Sequence, residues 1–194
     1  MREILKDSHF QAVRLESNNG YTWTLVTRLG DMLQEATSLY GPRDMSWTIL
    51  GVEFGLEIPQ IWYPGSRKDV VVQLGRSALD DTLQACYQLA HESIHLLAPS
   101  GSRSAPVLEE GLATAFSEDY LKAKFGRIYT SQTPSYQVAA RLVRELLSAD
   151  PQAIKKLREV EPSFTKMTHE TFDAARVIVP EGLIQKLLQS FVRL

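Results

Sequence analysis

The chain has 194 residues, of which 44% are hydrophobic and 23% charged, with a formal net charge of -2, four histidines and one cysteine. That length suits one globular domain with a self-sufficient core. The charge balance lacks the basic excess of a nucleic-acid binder, and a single cysteine excludes an internal disulfide and any cysteine-rich zinc module.

The first residues, Met1-Arg-Glu-Ile-Leu-Lys-Asp-Ser, carry charges where a signal peptide needs an apolar block. No run approaches the length of a membrane span. The expectation is a cytoplasmic protein without nucleic-acid or membrane partners; secretion by a route without a cleaved signal stays open. The oligomeric state is not legible. No repeat or linker divides the chain, so residues 1–194 read as one domain, with an N-terminal helix and sheet part (1–78) and a helical part (79–194).

In chain order, a short strand is expected at Phe10 to Leu15, stopped by Asn18-Asn19-Gly20. Leu25, Val26, Leu29, Met32, Leu33, Ala36 and Tyr40 recur at helical spacing between about Tyr21 and Tyr40, and Gly41-Pro42 ends that helix. Three segments rich in β-branched and aromatic residues follow, at Trp47 to Phe54, Ile58 to Tyr63 and Asp69 to Leu74. They predict a small, mostly antiparallel sheet, with Pro59 placing the middle segment at an edge or making it a strand start.

Beyond the sheet the pattern turns helical. Asp80 or Asp81 can cap a helix to about Leu97, with Leu79, Leu83, Cys86, Ala90, Ile94 and Leu97 as its buried stripe. A second helix is expected to about Lys124, with Ser104 as N-cap and Pro106 in its first turn. Further helices are expected at Pro134 to Ser148, Pro151 to Glu159 and Glu181 to Val192. Strands followed by helices describe an α+β domain.

Within the first of these late helices stands His91-Glu92-Ser93-Ile94-His95, an H-E-x-x-H motif. Four residues make little more than one helical turn, so both imidazoles project from one face and can bind one metal ion with Glu92 beside it. The apolar stripe passes through Ala90 and Ile94, which leaves Gln84, Gln88, His91 and His95 on a neighbouring strip. A catalytic zinc site needs a third protein ligand and one open position. Leu108-Glu109-Glu110-Gly111-Leu112-Ala113 supplies two carboxylates near the start of the next helix.

Here the sequence resembles the gluzincin metallopeptidases, whose H-E-x-x-H helix is followed by a helix carrying a Glu ligand, often as Glu-Gly-Leu-Ala. The resemblance covers about Gln84 to Tyr120 and implies a zincin-like fold with an active-site helix and a Glu-ligand helix. It maps the third ligand to Glu110, the Glu before Gly, and leaves Glu109 to the helix N-terminal dipole. Fourteen residues separate His95 from Glu110, enough for the second helix to return over the histidines. Gly111 suits a close approach of two helices.

The resemblance implies a zinc ion held by His91, His95 and Glu110, with Glu92 as general base for a zinc-activated water and peptide hydrolysis as the reaction. The partner is then a peptide or protein substrate, bound antiparallel along the edge strand Ile58 to Tyr63. Thr114, where some relatives carry an acidic residue, and Ser117 are candidates to orient a ligand, or simple helix-packing hydroxyls. Relatives stabilise the oxyanion with a Tyr or His placed after the Glu helix; the candidates are Tyr120, Tyr129, Tyr136 and His169, with Tyr136 first and His169 next. Arg141 and Arg144 are candidates to bind a substrate carboxylate but read first as a solvated helix face with Glu145 nearby, and Cys86 reads as a core residue. Two alternatives remain open, a zinc-binding regulatory domain without turnover and a dedicated protease effector or toxin with one protein target.

Overall fold

A computed structural model describes residues 24–55, 57–101 and 104–194. The expected strand Phe10 to Leu15, its turn at Asn18 to Gly20, and His9 and Trp23 lie outside the described residues. The fold is α+β: a small mixed sheet followed by helices. Among the described residues no helix is long and apolar enough to cross a membrane.

The first helix, α1, spans Leu25–Tyr40. Thr24 caps it through a reciprocal bond with Thr27, and Gly41, at φ 95°, closes it with an N–H bond to the Thr37 carbonyl. Leu29, Met32, Ala36 and Tyr40 are buried, whereas Val26, at the first turn, faces solvent.

Strands β1 (Thr48–Phe54), β2 (Gln60–Trp62) and β3 (Asp69–Leu74) follow. The expected mostly antiparallel order is corrected: β3 lies in the centre, parallel to β1 and antiparallel to β2. The turn at Pro64-Gly65 makes a β2–β3 hairpin, but Gly55 does not fold β1 back on β2. Instead the chain crosses the end of β3. At Gly75 a side chain would stand 2.7 Å from the Glu57 carbonyl oxygen, so glycine there lets the crossing strand pass. Being central, β3 buries Val70, Val71, Val72 and Leu74, and β2 is left as an edge.

Helix α2 (Thr82–His95) starts at Asp81, whose carboxylate accepts from the Gln84 N–H at 2.9 Å. Leu83, Cys86, Ala90, Ile94 and Leu97 are buried as expected, together with Leu89. Leu79 is exposed, because the chain reaches α2 through a 3-10 turn at Arg76–Ala78 that turns it outward. Burial pushes the Cys86 thiol up to about 12, in keeping with a core residue.

Helix α3 (Val107–Phe125) packs against α2 and against α4 (Pro134–Ala149), so residues all round its first half are buried. Its N-cap is Pro106 and not Ser104, since Pro106 is extended and pairs with Ser190 before the helix begins at Val107. The same pairing ends the last helix early. Val107 N–H bonds to the Gln189 carbonyl at 2.8 Å and Phe191 N–H to the Ala105 carbonyl at 2.9 Å, drawing the chain out of helix after Leu188.

Gly111 does serve a close approach, to α4. A Cβ there would lie 2.4 Å from the Ala139 carbonyl oxygen and 2.8 Å from Val143. Arg144 ties the same two helices with paired 2.9 Å bonds to Asp119 and one of 3.2 Å to Glu118, so it is a clamp and not a free solvated face. Gly111→Ala should therefore cost about 1–3 kcal/mol of stability, even though alanine is the better helix former by about 1 kcal/mol. Urea unfolding of the variant beside the parent measures it.

Three shorter helices follow among the described residues: α5 (Ala153–Val160), α6 (His169–Ala174), which the sequence pattern did not indicate, and α7 (Glu181–Leu188). From α5, Arg158 reaches inward and donates to the carbonyls of Tyr40, Gly41, Pro42 and Leu97 at 2.7–3.3 Å. It thereby fixes the ends of α1 and α2 relative to each other. Burial lowers its pKa to about 10, against an opposing pull from Glu109.

Candidate metal centre

Helical periodicity places His91 and His95 on one face of α2, with ring centroids 5.1 Å apart. That face, which includes Gln84 and Gln88, is turned to an open cavity of about 830 Å³. Opposite it, the first turn of α3 delivers Glu110. Nε2 of His91 lies 3.1 Å from Oε2 of Glu110, and Nε2 of His95 lies 3.8 Å from Oε1. One ligand atom from each of the three residues falls within 4.8 Å of the others, the one such group among the described residues. The side chains are 12%, 16% and 14% exposed, enough to reach a solute from the cavity while held in place by protein. The group can hold a metal ion.

Electrostatics favour a cation there. Burial opposes charge on His95, but Glu110, a hydrogen bond to Glu109 and the charges of Glu109 and Glu92 outweigh it and raise its pKa to about 10. Burial likewise opposes charge on Glu110, yet His95, the bond to His91 and the charges of His91 and Arg193 bring it down to about 2. Without metal, a proton on His95 balances the carboxylates, and a metal ion can take its place.

Glu109 has a larger part than the helix dipole. Its Oε1 lies 2.8 Å from Nδ1 of His95. A carboxylate only accepts, so it holds the proton on Nδ1 and leaves Nε2 as the ligand atom. Consecutive helical residues diverge by about 100°, which sends Glu110 to the nitrogens facing the cavity and Glu109 to the far side of one ring. Thr114 and Ser117 do not touch the histidines. Their hydroxyls donate to the Glu110 and Ala113 carbonyls within α3.

Glu92 lines the cavity and is 3% exposed, and among the described residues its carboxyl has no hydrogen-bond partner. Burial raises its pKa, with the two histidines pulling the other way and Glu110 and Glu109 adding to the rise. A carboxyl so placed is a strong proton acceptor once ionised.

Of the four residues considered for the oxyanion, Tyr136 is the one beside the histidines. Its ring meets His91 edge to face at 5.5 Å, and burial followed by Glu110 raises its pKa, so its hydroxyl stays a donor at neutral pH. Tyr129 also lines the cavity but pairs with Tyr87 at 4.3 Å. Tyr120 is buried elsewhere, donating to Asp31 at 2.6 Å. His169 opens α6 outside the cavity lining, 3.5 Å from Glu181, and is not brought to the site. The edge strand β2 forms one wall through Gln60, Ile61 and Trp62. Arg193 forms part of another wall and was not among the residues singled out in the sequence. Comparison with family models, curated proteins and solved structures gives no match to this chain.

Proposed function

We propose that the protein is a zinc-dependent peptide hydrolase of zincin-like fold and gluzincin type. The observation that carries this reading is the convergence of His91, His95 and Glu110 on the floor of an open cavity, with the unpartnered carboxyl of Glu92 lining the same space. Two imidazoles and a carboxylate suit zinc with one position left open, and zinc so held supplies Lewis acidity, acidifying water and polarising a carbonyl.

The chain's own residues do the rest. Glu92 accepts the water's proton and delivers it to the leaving amine. Tyr136, with its hydroxyl kept protonated, donates a hydrogen bond to the developing charge on the carbonyl oxygen. The free side of β2 offers backbone groups to an extended substrate, which fits a peptide better than a compact small molecule.

Metal removal tests the reading. Purified protein with about one zinc per chain should cleave a mixture of internally quenched peptides, lose that activity to a chelator, and recover it with added zinc. Cleavage that survives complete metal removal overturns the mechanism. Tight zinc binding without turnover of any peptide or protein would instead identify a regulatory module, and turnover confined to one protein would identify a dedicated protease.

A further inference from the structure

We propose that Arg193 is a specificity-determining residue that binds a carboxylate of the substrate, either an acidic side chain or a free terminal carboxylate close to the scissile bond. The inference rests on the peptide-hydrolase reading and deepens it. Among the described residues, the charged ones lining the cavity are His91, Glu92, His95, Glu109, Glu110 and Arg193. The first five form the metal-binding cluster and its immediate partners. Of these described residues Arg193 is the one that is neither a ligand, nor hydrogen-bonded to a ligand, nor the general base, although its charge is felt by Glu110.

Its position is built by the fold. The Ala105–Val107 pairing anchors Gln189 to Phe191 at the start of α3, next to Glu110. Phe191 stacks on Tyr136 at 4.7 Å, and the Leu194 N–H bonds to the Ser135 hydroxyl in the first turn of α4 at 3.2 Å. Arg193 is therefore pinned on both sides. Its guanidinium stands 5.9 Å from the centroid of the Tyr136 ring, the same ring that meets His91.

Among the described residues that guanidinium makes no hydrogen bond or ion pair, so its donor fork is open to the cavity. Covering it with an apolar substrate group would strand a cation, whereas a carboxylate matches the fork with two parallel hydrogen bonds. Gln132 and Thr133 line the same cavity, and the carboxylate that feels the charge of Arg193, Glu110, is itself engaged by His91. The positive end of the 16-residue helix α4 adds to the attraction.

The test uses the full chain loaded with zinc and matched peptide pairs: Glu against Gln beside the scissile bond, and free acid against amide at the C-terminus. The parent should prefer one carboxylate-bearing member by about 10- to 100-fold in kcat/KM, and the responding pair names the source of the carboxylate. In Arg193→Ala the ratio should fall to about one, and in Arg193→Glu it should fall below one. A ratio is insensitive to any change in metal loading shared by both peptides.

Zinc-loaded Glu92→Gln protein gives a second readout by calorimetry, because it can bind peptides without turning them over. Tighter binding of the carboxylate member, lost on adding Arg193→Ala, supports the proposal even if cleavage is absent and the hydrolase reading fails. Equal binding and equal cleavage of both members by the parent, or a preference that survives Arg193→Ala, overturns it.

Discussion

Glu92→Gln should lower peptide cleavage by about 10²- to 10⁴-fold while the protein keeps its zinc. The amide has nearly the shape of the carboxyl but cannot accept the water's proton, and the three ligand residues are untouched. Glu92 is almost fully enclosed, and its pKa is raised chiefly by that burial. The same substitution should therefore stabilise the metal-free fold at neutral pH. An acid whose folded pKa is raised contributes a destabilisation that is absent below its unfolded pKa, near 4.5, and grows as pH rises through the folded value. The variant's advantage in urea should accordingly be present at pH 7 and vanish near pH 4. Full activity in the variant would remove Glu92 from the mechanism, and loss of zinc would make it a structural residue.

The parts of this site that could be read from sequence are those set by local periodicity. His91 and His95 share a face because a helix repeats every 3.6 residues, and the apolar stripe through Ala90 and Ile94 fixes which face stays free. Glu110 followed from its resemblance to a ligand position, and the fold brings it to the histidines. Glu109 looks identical to it in sequence. Only the placement of α3 against α2 decides which carboxylate meets the cavity side of the rings and which meets Nδ1 of His95.

Long-range pairing explains the other differences. Arg193 is 83 positions beyond Glu110 and arrives through a two-bond pairing that no propensity scale marks. The sheet order likewise depends on a crossing past Gly75, where three similar strand segments and their turns suggested consecutive hairpins. Tyr136 and His169 were comparable candidates by residue type. The close packing of α4 on α3 at Gly111 carries Tyr136 to His91, while α6 leaves His169 paired with Glu181.

Zinc affinity should fall in a defined order across three variants. His95→Ala removes a ligand and should abolish stoichiometric binding at micromolar zinc. Glu109→Ala keeps all three ligands but should weaken binding by about 10- to 100-fold, because the imidazole loses the acceptor that sets its tautomer and orientation. One effect works against that loss. Glu109 helps to hold a proton on metal-free His95, whose pKa of about 10 means that zinc must displace that proton at neutral pH. Removing Glu109 eases this competition, but Glu110 still faces the ring at 3.8 Å and keeps much of the proton's hold. The lost orientation should therefore dominate. Glu109→Gln, whose amide oxygen can still accept from Nδ1, should fall between the parent and Glu109→Ala. For the parent, affinity should rise about tenfold per pH unit between pH 7 and 9, since one proton leaves as zinc enters. Competition titrations with a chromophoric chelator at three pH values measure all of these. Parent-like affinity in Glu109→Ala would return Glu109 to the helix-dipole role, and equal zinc content in His95→Ala and the parent would overturn the site itself.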